Sequence, residues 1–135
     1  MRWLLALLVG GTALIAATNP RTSVLAFNRI QPGSWQLRSL DGSTPSQRMC
    51  VQDPYELIQL RHPGTACSRF VLNNEAQTAT VHYTCTGAGY GRTTIKVETP
   101  ALMRIESQGL ADRSPFQVTF EARRLGPCGP QQAGR

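Results

Sequence analysis

The chain has 135 residues, 41% of them hydrophobic, a length that suits one compact domain and leaves little room for a second. Its 14 Lys and Arg against 8 Asp and Glu give a formal net charge of +6, which favours acidic partners such as anionic lipid headgroups or polysaccharide. The basic residues are scattered and rarely stand beside aromatic ones, so the composition argues against nucleic acid as a partner.

The N-terminus predicts a signal peptide for export. Arg2 and Trp3 precede an apolar run over residues 4–17, the layout of a secretory signal. The run is shorter than the roughly 20 residues of a membrane-spanning helix, and it lacks the polar face that a buried helix of a soluble protein would show. We therefore expect a periplasmic or secreted protein with no membrane span after cleavage.

Ala17 and Ala26 are both acceptable cleavage sites because each is a small residue, and the sequence leaves the choice open. Loss of Arg2 alone lowers the formal charge from +6 to +5, and loss of Arg21 as well lowers it to +4. The predicted organisation is a signal peptide within residues 1–26, a single disulfide-bonded β domain over residues 27–128 and a disordered polar tail over residues 129–135.

Four cysteines in the mature part predict two disulfides, because an even number in an exported chain is typical of an oxidising compartment. A metal site is not predicted: there is no Cys-x-x-Cys pair, and an offset of three places His82 and Cys85 on opposite faces of a strand. Four cysteines allow three pairings. The preferred pairing is Cys50–Cys67, which would staple the segment between them to the sheet, with Cys85–Cys128.

The first elements predicted in chain order are a hairpin and a short helix. Residues 35–40 and 47–51 read as two strands joined through an Asp41-Gly42 turn. Residues 55–60 read as a helix, since Asp53 can cap it and Pro54 suits the first helical position.

The later half alternates apolar and polar residues with a period of two, which predicts an antiparallel sheet with one wet face. The four predicted strands cover residues 79–85, 93–98, 103–108 and 116–123, with turns at 87–91, 100 and 112–115. The predicted fold is mainly β: an antiparallel meander that curls into a half-open barrel or a sandwich, with one short helix and two disulfides.

The chain resembles domain of unknown function 3617 over residues 30–128. The resemblance lies in Gly33-x-Trp35, in the order of the four cysteines and in the ending Arg-Arg-Leu-Gly-Pro-Cys over residues 123–128. It implies an exported bacterial protein and no particular active-site residue. Gln36 departs from the acidic residue expected after the tryptophan.

Four aromatic side chains are candidate binding residues because they fall on inward faces, where they pack in a core or line a concave apolar pocket: Trp35, Tyr83, Phe116 and Phe120. His62 reads as a loop residue and His82 as a solvated residue on the polar face of a strand. The sequence contains neither a Gly-x-Ser-x-Gly elbow nor a His-Glu-x-x-His motif, and no catalytic residue or cofactor is predicted.

Two function hypotheses follow. The favoured one is a non-enzymatic envelope-associated protein that binds an apolar small molecule in the concavity of the sheet, or an anionic surface through its arginines. The alternative is a periplasmic enzyme in which His82 or His62 works with a carboxylate.

Overall fold

The computed structural model describes residues 23–130. The predicted signal run over residues 4–17 and most of the predicted tail lie outside this range. The described chain forms two 3-10 helices (η) and seven strands, in the order η1 Leu25–Arg29, β1 Gly33–Ser39, β2 Gln47–Val51, η2 Pro54–Leu57, β3 Ser68–Asn74, β4 Thr78–Cys85, β5 Gly89–Thr99, β6 Leu102–Ala111 and β7 Ser114–Gly126.

The seven strands make one antiparallel sheet, in the order β2-β1-β7-β6-β5-β4-β3. The predicted mainly antiparallel fold is confirmed. β1 pairs with β7, so the first hairpin extends the sheet. The edge strands β2 and β3 are furthest apart in strand order, yet residues of both line one cleft. The sheet therefore curls into a half-open barrel.

The period-two pattern arises because successive side chains of a strand point to opposite faces. In β5, Thr93, Ile95 and Val97 are buried while Lys96 and Glu98 are exposed. We call the buried side the inner face and the opposite side the outer face. The inner face carries the hydrophobic core, which η1 and the connection over residues 52–67 cover.

Strand β3 was not predicted, and its sequence explains why. Phe70 and Leu72 are both exposed, and the pairing with β4 shifts register between Val71 and Asn73. A bulge of this kind interrupts the alternation that identifies a strand. The edge position leaves Phe70 and Leu72 in solvent, while Val71 between them packs against the core.

The preferred disulfide pairing is wrong. The structure pairs Cys50 with Cys128 and Cys67 with Cys85. The missing β3 is the physical reason: Ser68 lies opposite Thr84 in the β3–β4 ladder, so Cys67 comes next to Cys85 and not to Cys50.

The predicted helix over residues 55–60 is a single 3-10 turn over Pro54–Leu57. Its predicted cap is present, with Asp53 Oδ1 accepting a hydrogen bond from the Tyr55 backbone N–H at 3.0 Å. Leu57 and Ile58 are buried, so one turn suffices to bring the apolar stripe to the core. No helix within residues 23–130 has the length and apolarity to cross a membrane.

Candidate binding site

The four predicted aromatic binding residues occupy the inner face, where three of them are core residues. Trp35 and Tyr83 are fully buried and Phe120 is 3% exposed. Trp35 also donates its indole N–H to the Gln31 carbonyl at 3.0 Å. Phe116 is partly buried and lines a cleft at the surface. The inner face is therefore packed around the first three residues.

A larger cleft lies where the barrel remains open, between the edge strands β2 and β3. We call it the seam cleft; it has a volume of about 610 Å³. Its walls are apolar in part and carry two guanidinium groups and one carboxylate. The lining residues are Gln47, Arg48 and Met49 from β2, Glu56, Gln59, Leu60, Pro63 and Gly64 from the connection, and Arg69 from β3.

Arg69 is held in place by two contacts. Its Nη2 donates to Gln59 Oε1 at 3.3 Å, and its guanidinium carbon lies 4.9 Å from the centroid of the Tyr55 ring, a cation–π distance. Gln59 is buried and is itself fixed, because its Nε2 donates to the carbonyls of His62 at 3.0 Å and Thr65 at 2.8 Å. The cleft thus presents a pre-organised cation.

Met49 and Leu60 supply the apolar part of the cleft, and both pack against the hydrophobic core. Glu56 lines the same cleft, and burial raises the pKa of its carboxyl above the ordinary value, with a smaller contribution from the negative charge of Asp53. Two arginines against one carboxylate leave the cleft with an excess of positive charge.

Each edge of the seam is held by one disulfide. Cys50 lies on β2 and bonds to Cys128 beyond the end of β7, while Cys67 directly precedes β3 and bonds to Cys85 at the end of β4. Edge strands pair with a neighbour on one side only. The two cross-links therefore tie each wall of the cleft to its own side of the sheet.

His62, predicted as a loop residue, is buried with 5% exposure. Its Nε2 lies 3.0 Å from the Ala88 carbonyl oxygen and its Nδ1 lies 3.0 Å from the Tyr83 hydroxyl. Because a carbonyl only accepts, Nε2 carries the proton; in the neutral ring Nδ1 then accepts from Tyr83. His62 thus ties the connection over residues 52–67 to the sheet.

A second buried hydrogen-bond chain lies nearby. The Thr93 hydroxyl donates to the Ile58 carbonyl, so it must accept from Ser107, whose Oγ is 2.8 Å away. Burial raises the pKa of the Tyr83 phenol above its ordinary value. These contacts join the inner face to the covering connection.

His82 lies on the outer face as predicted. Its Nε2 is 3.4 Å from Thr84 Oγ1, and its ring lies 6.1 Å from the ring of Tyr90. Within residues 23–130, both histidines thus form their hydrogen bonds with hydroxyl and carbonyl groups. In this part of the chain, no three His, Cys, Asp or Glu side chains converge as a metal site would require.

Sequence reasoning missed the charged residues of the seam cleft. Arg48 and Arg69 lie on strands at opposite ends of the sheet, so their proximity follows from the curl, and Arg69 belongs to the strand that was not predicted. To find these two arginines from the sequence, residues 68–74 would have had to be recognised as a second edge strand.

Comparisons of the chain with protein-family models, with curated proteins and with solved structures gave no match.

Proposed function

We propose that the protein is an exported envelope protein whose seam cleft binds an amphipathic anion. The carboxylate or phosphate end of the ligand would lie between Arg48 and Arg69, and its apolar end against Met49 and Leu60. The observation that carries this proposal is the combination of a fixed guanidinium with apolar walls in one cleft of about 610 Å³. Ligand sites of small molecules are typically concave, largely apolar and furnished with a few placed polar groups.

Two features support export. The apolar run over residues 4–17 has the layout of a secretory signal, and the four cysteines, all of which are paired, suit an oxidising compartment. The resemblance to domain of unknown function 3617 points to the same location. We place the protein in the bacterial periplasm.

A non-catalytic role is favoured over the enzyme alternative by the surroundings of the histidines. His62 uses both ring nitrogens to hold the fold together, and His82 contacts Thr84 and Tyr90. A general base needs a partner within hydrogen-bond reach that orients it, and neither pattern of contacts supplies a carboxylate.

The experiment is thermal unfolding of the mature protein with dodecanoate, using dodecanol as the uncharged control. We expect dodecanoate to raise Tm and dodecanol to raise it much less. Arg69→Gln should weaken dodecanoate binding about tenfold or more, because a hydrogen bond to a charged group contributes about 1.5–3 kcal/mol. Glu56→Gln should strengthen binding, since it removes the opposing charge.

Arg104→Gln is the matched control. It removes the same charge from an exposed position on β6, outside the seam cleft, and should leave the Tm shift unchanged. The proposal is overturned if dodecanoate gives no shift, or if Arg104→Gln weakens binding as much as Arg69→Gln does.

An anionic membrane surface is a second candidate, favoured by one feature of the outer face. Lys96 lies directly opposite Arg104 in the β5–β6 register, an arrangement of like charges that costs stability. Arg38 and Arg123 flank Glu121 nearby, at 3.3 Å and 2.9 Å from its Oε1. Co-sedimentation with phosphatidylglycerol vesicles tests this candidate: Lys96→Gln/Arg104→Gln should abolish it, whereas retained binding would exclude this surface.

A further inference from the structure

A row of polar side chains crosses four neighbouring strands on the outer face, away from the seam cleft. The β-ladder registers place His82 opposite Arg92, Arg92 opposite Gln108, and Gln108 opposite Gln117. With strands about 4.8 Å apart, the row is on the order of 14 Å long. We call it the outer row.

Two adjoining clefts follow the outer row. One has a volume of about 390 Å³ and reaches Tyr90; the other has a volume of about 220 Å³ and reaches Glu106 and Thr94. Both are lined by Arg92, Gln108 and Gln117. The surface is therefore a continuous shallow groove, and its length suits an extended ligand better than a single ion.

The groups in this groove are available for a ligand. Within residues 23–130, the side chains of Arg92, Gln108 and Gln117 form no hydrogen bond or ion pair with the rest of the protein. Tyr90 is 47% exposed, and its ring lies at 31° to that of His82. An aromatic ring that is half-exposed on the solvent face of a sheet offers an apolar surface beside polar groups.

We propose that the outer row binds a glycan whose sugars carry acetamido groups. Each glutamine amide offers both a donor and an acceptor, which complements the N–H and C=O of an acetamido group. Arg92 donates to hydroxyl or carbonyl oxygens, Glu106 accepts from hydroxyls, and Tyr90 packs against the apolar face of a sugar ring. The positive charge of Arg92 is balanced by the negative charge of Glu106, so the groove has no excess of positive charge that would favour a polyanion.

The test is isothermal titration of the mature protein with chitotetraose, a tetramer of N-acetylglucosamine, together with amide NMR of the glutamine side chains. We expect saturable binding that shifts the Gln108 and Gln117 side-chain signals. Gln108→Ala/Gln117→Ala should raise Kd at least tenfold, and Arg92→Ala at least fivefold. All three residues are exposed, so the variants should fold normally.

Lys96→Ala is the matched control, because it removes a cation from the outer face of the same strand, outside the two clefts, and should leave Kd unchanged. Arg69→Gln should also leave Kd unchanged, so this result is independent of the dodecanoate experiment. The proposal is overturned if chitotetraose does not bind at millimolar concentration, if Lys96→Ala weakens binding as much as Arg92→Ala, or if only dextran sulfate binds and salt abolishes that binding.

Discussion

The imidazole Nδ1 of His62 and the hydroxyl of Tyr83 lie 3.0 Å apart in the interior, although 21 residues separate them in the chain. Tyr83 is fully buried and His62 nearly so. Their hydrogen bond joins the connection that covers the core to β4, the strand next to the β3 edge of the sheet. A buried polar group that loses its partner costs more than the bond itself contributes.

Tyr83→Phe should therefore lower the free energy of unfolding by about 1–3 kcal/mol, because His62 Nδ1 would be left buried without a donor. Urea unfolding of the oxidised protein measures the change. Tyr90→Phe is the control, since the half-exposed Tyr90 hydroxyl is not part of the buried network. Equal stability of Tyr83→Phe and the wild type would contradict the network.

The disulfide pairing predicts the outcome of peptide mapping without reduction: one peptide pair should contain Cys50 and Cys128, the other Cys67 and Cys85. Loss of the first bond should cost about 4.5 kcal/mol and loss of the second about 3 kcal/mol in the chain-entropy model, because the first closes the longer loop. Urea unfolding of the two paired Cys→Ala variants gives the ranking. A peptide that joins Cys50 to Cys67 would show that β3 does not pair with β4 as described.

Gly91→Ala should destabilise the protein, because a Cβ at this position would collide with the ring and hydroxyl of Tyr83 on the neighbouring strand. Moving Tyr83 would also break its hydrogen bond to His62, so a loss of about 1–3 kcal/mol is expected. Gly129→Ala is the control, since a Cβ there meets no atom within 4 Å. Thermal unfolding separates the two, and an equal Tm for both variants would contradict the close packing.

Asp41 predicts acid sensitivity in the β1–β2 turn. Hydrogen bonds from the Ser39 hydroxyl and from Ser43 lower the pKa of Asp41 from 3.8 to about 2. These hydrogen bonds stabilise the ionised carboxylate in the folded state only. The contribution of Asp41 to stability is therefore complete above about pH 4 and is lost as the pH falls towards 2.

Asp41→Asn should accordingly reduce the dependence of the urea midpoint on pH between 4 and 2. Asp112→Asn, in the turn between β6 and β7, provides a control that removes one carboxylate from another turn. If Asp41→Asn and the wild type lose stability in parallel over this interval, the hydrogen bonds to Asp41 do not persist in solution.

For the signal peptide proposed above, the burial of the segment that follows it predicts cleavage after Ala17, so that the mature chain would begin at Thr18. Val24 and Ala26 are buried in the core, and Asn74 bonds to the Leu25 N–H at 2.8 Å and to the Ser23 carbonyl at 2.9 Å. Cleavage after Ala26 would remove these contacts. The intact mass of protein secreted by its host decides between the sites, and a mature N-terminus at Phe27 would contradict this choice.

The sequence predicts those strands that have one face exposed to solvent and the other buried in the core. Met103 and Ile105 alternate with Arg104 and Glu106, and their strand is present as β6 with that pattern of burial. β3 was not predictable, because at an edge the apolar Phe70 carries no burial signal. The disulfide pairing and the arginines of the seam cleft depended on β3 and could not be derived without it.

Core contacts between residues that lie far apart in the sequence could not be predicted either. His62 follows the η2 turn in a stretch without periodicity, and its partners Tyr83 and Ala88 lie in a different hairpin. The alternation of β4 placed Tyr83 correctly on the inner face but did not reveal which residue would reach its hydroxyl.

The disulfides are nested, the Cys67–Cys85 bond lying inside the loop that the Cys50–Cys128 bond closes. In a chain that crosses a membrane N-terminus first, Cys50 and Cys67 emerge while Cys128 is still inside. Oxidation at that stage would join Cys50 to Cys67. This bridge is non-native, and only thiol–disulfide exchange can rearrange it. Correct maturation of an exported chain with this connectivity would therefore depend on a disulfide isomerase in addition to an oxidant.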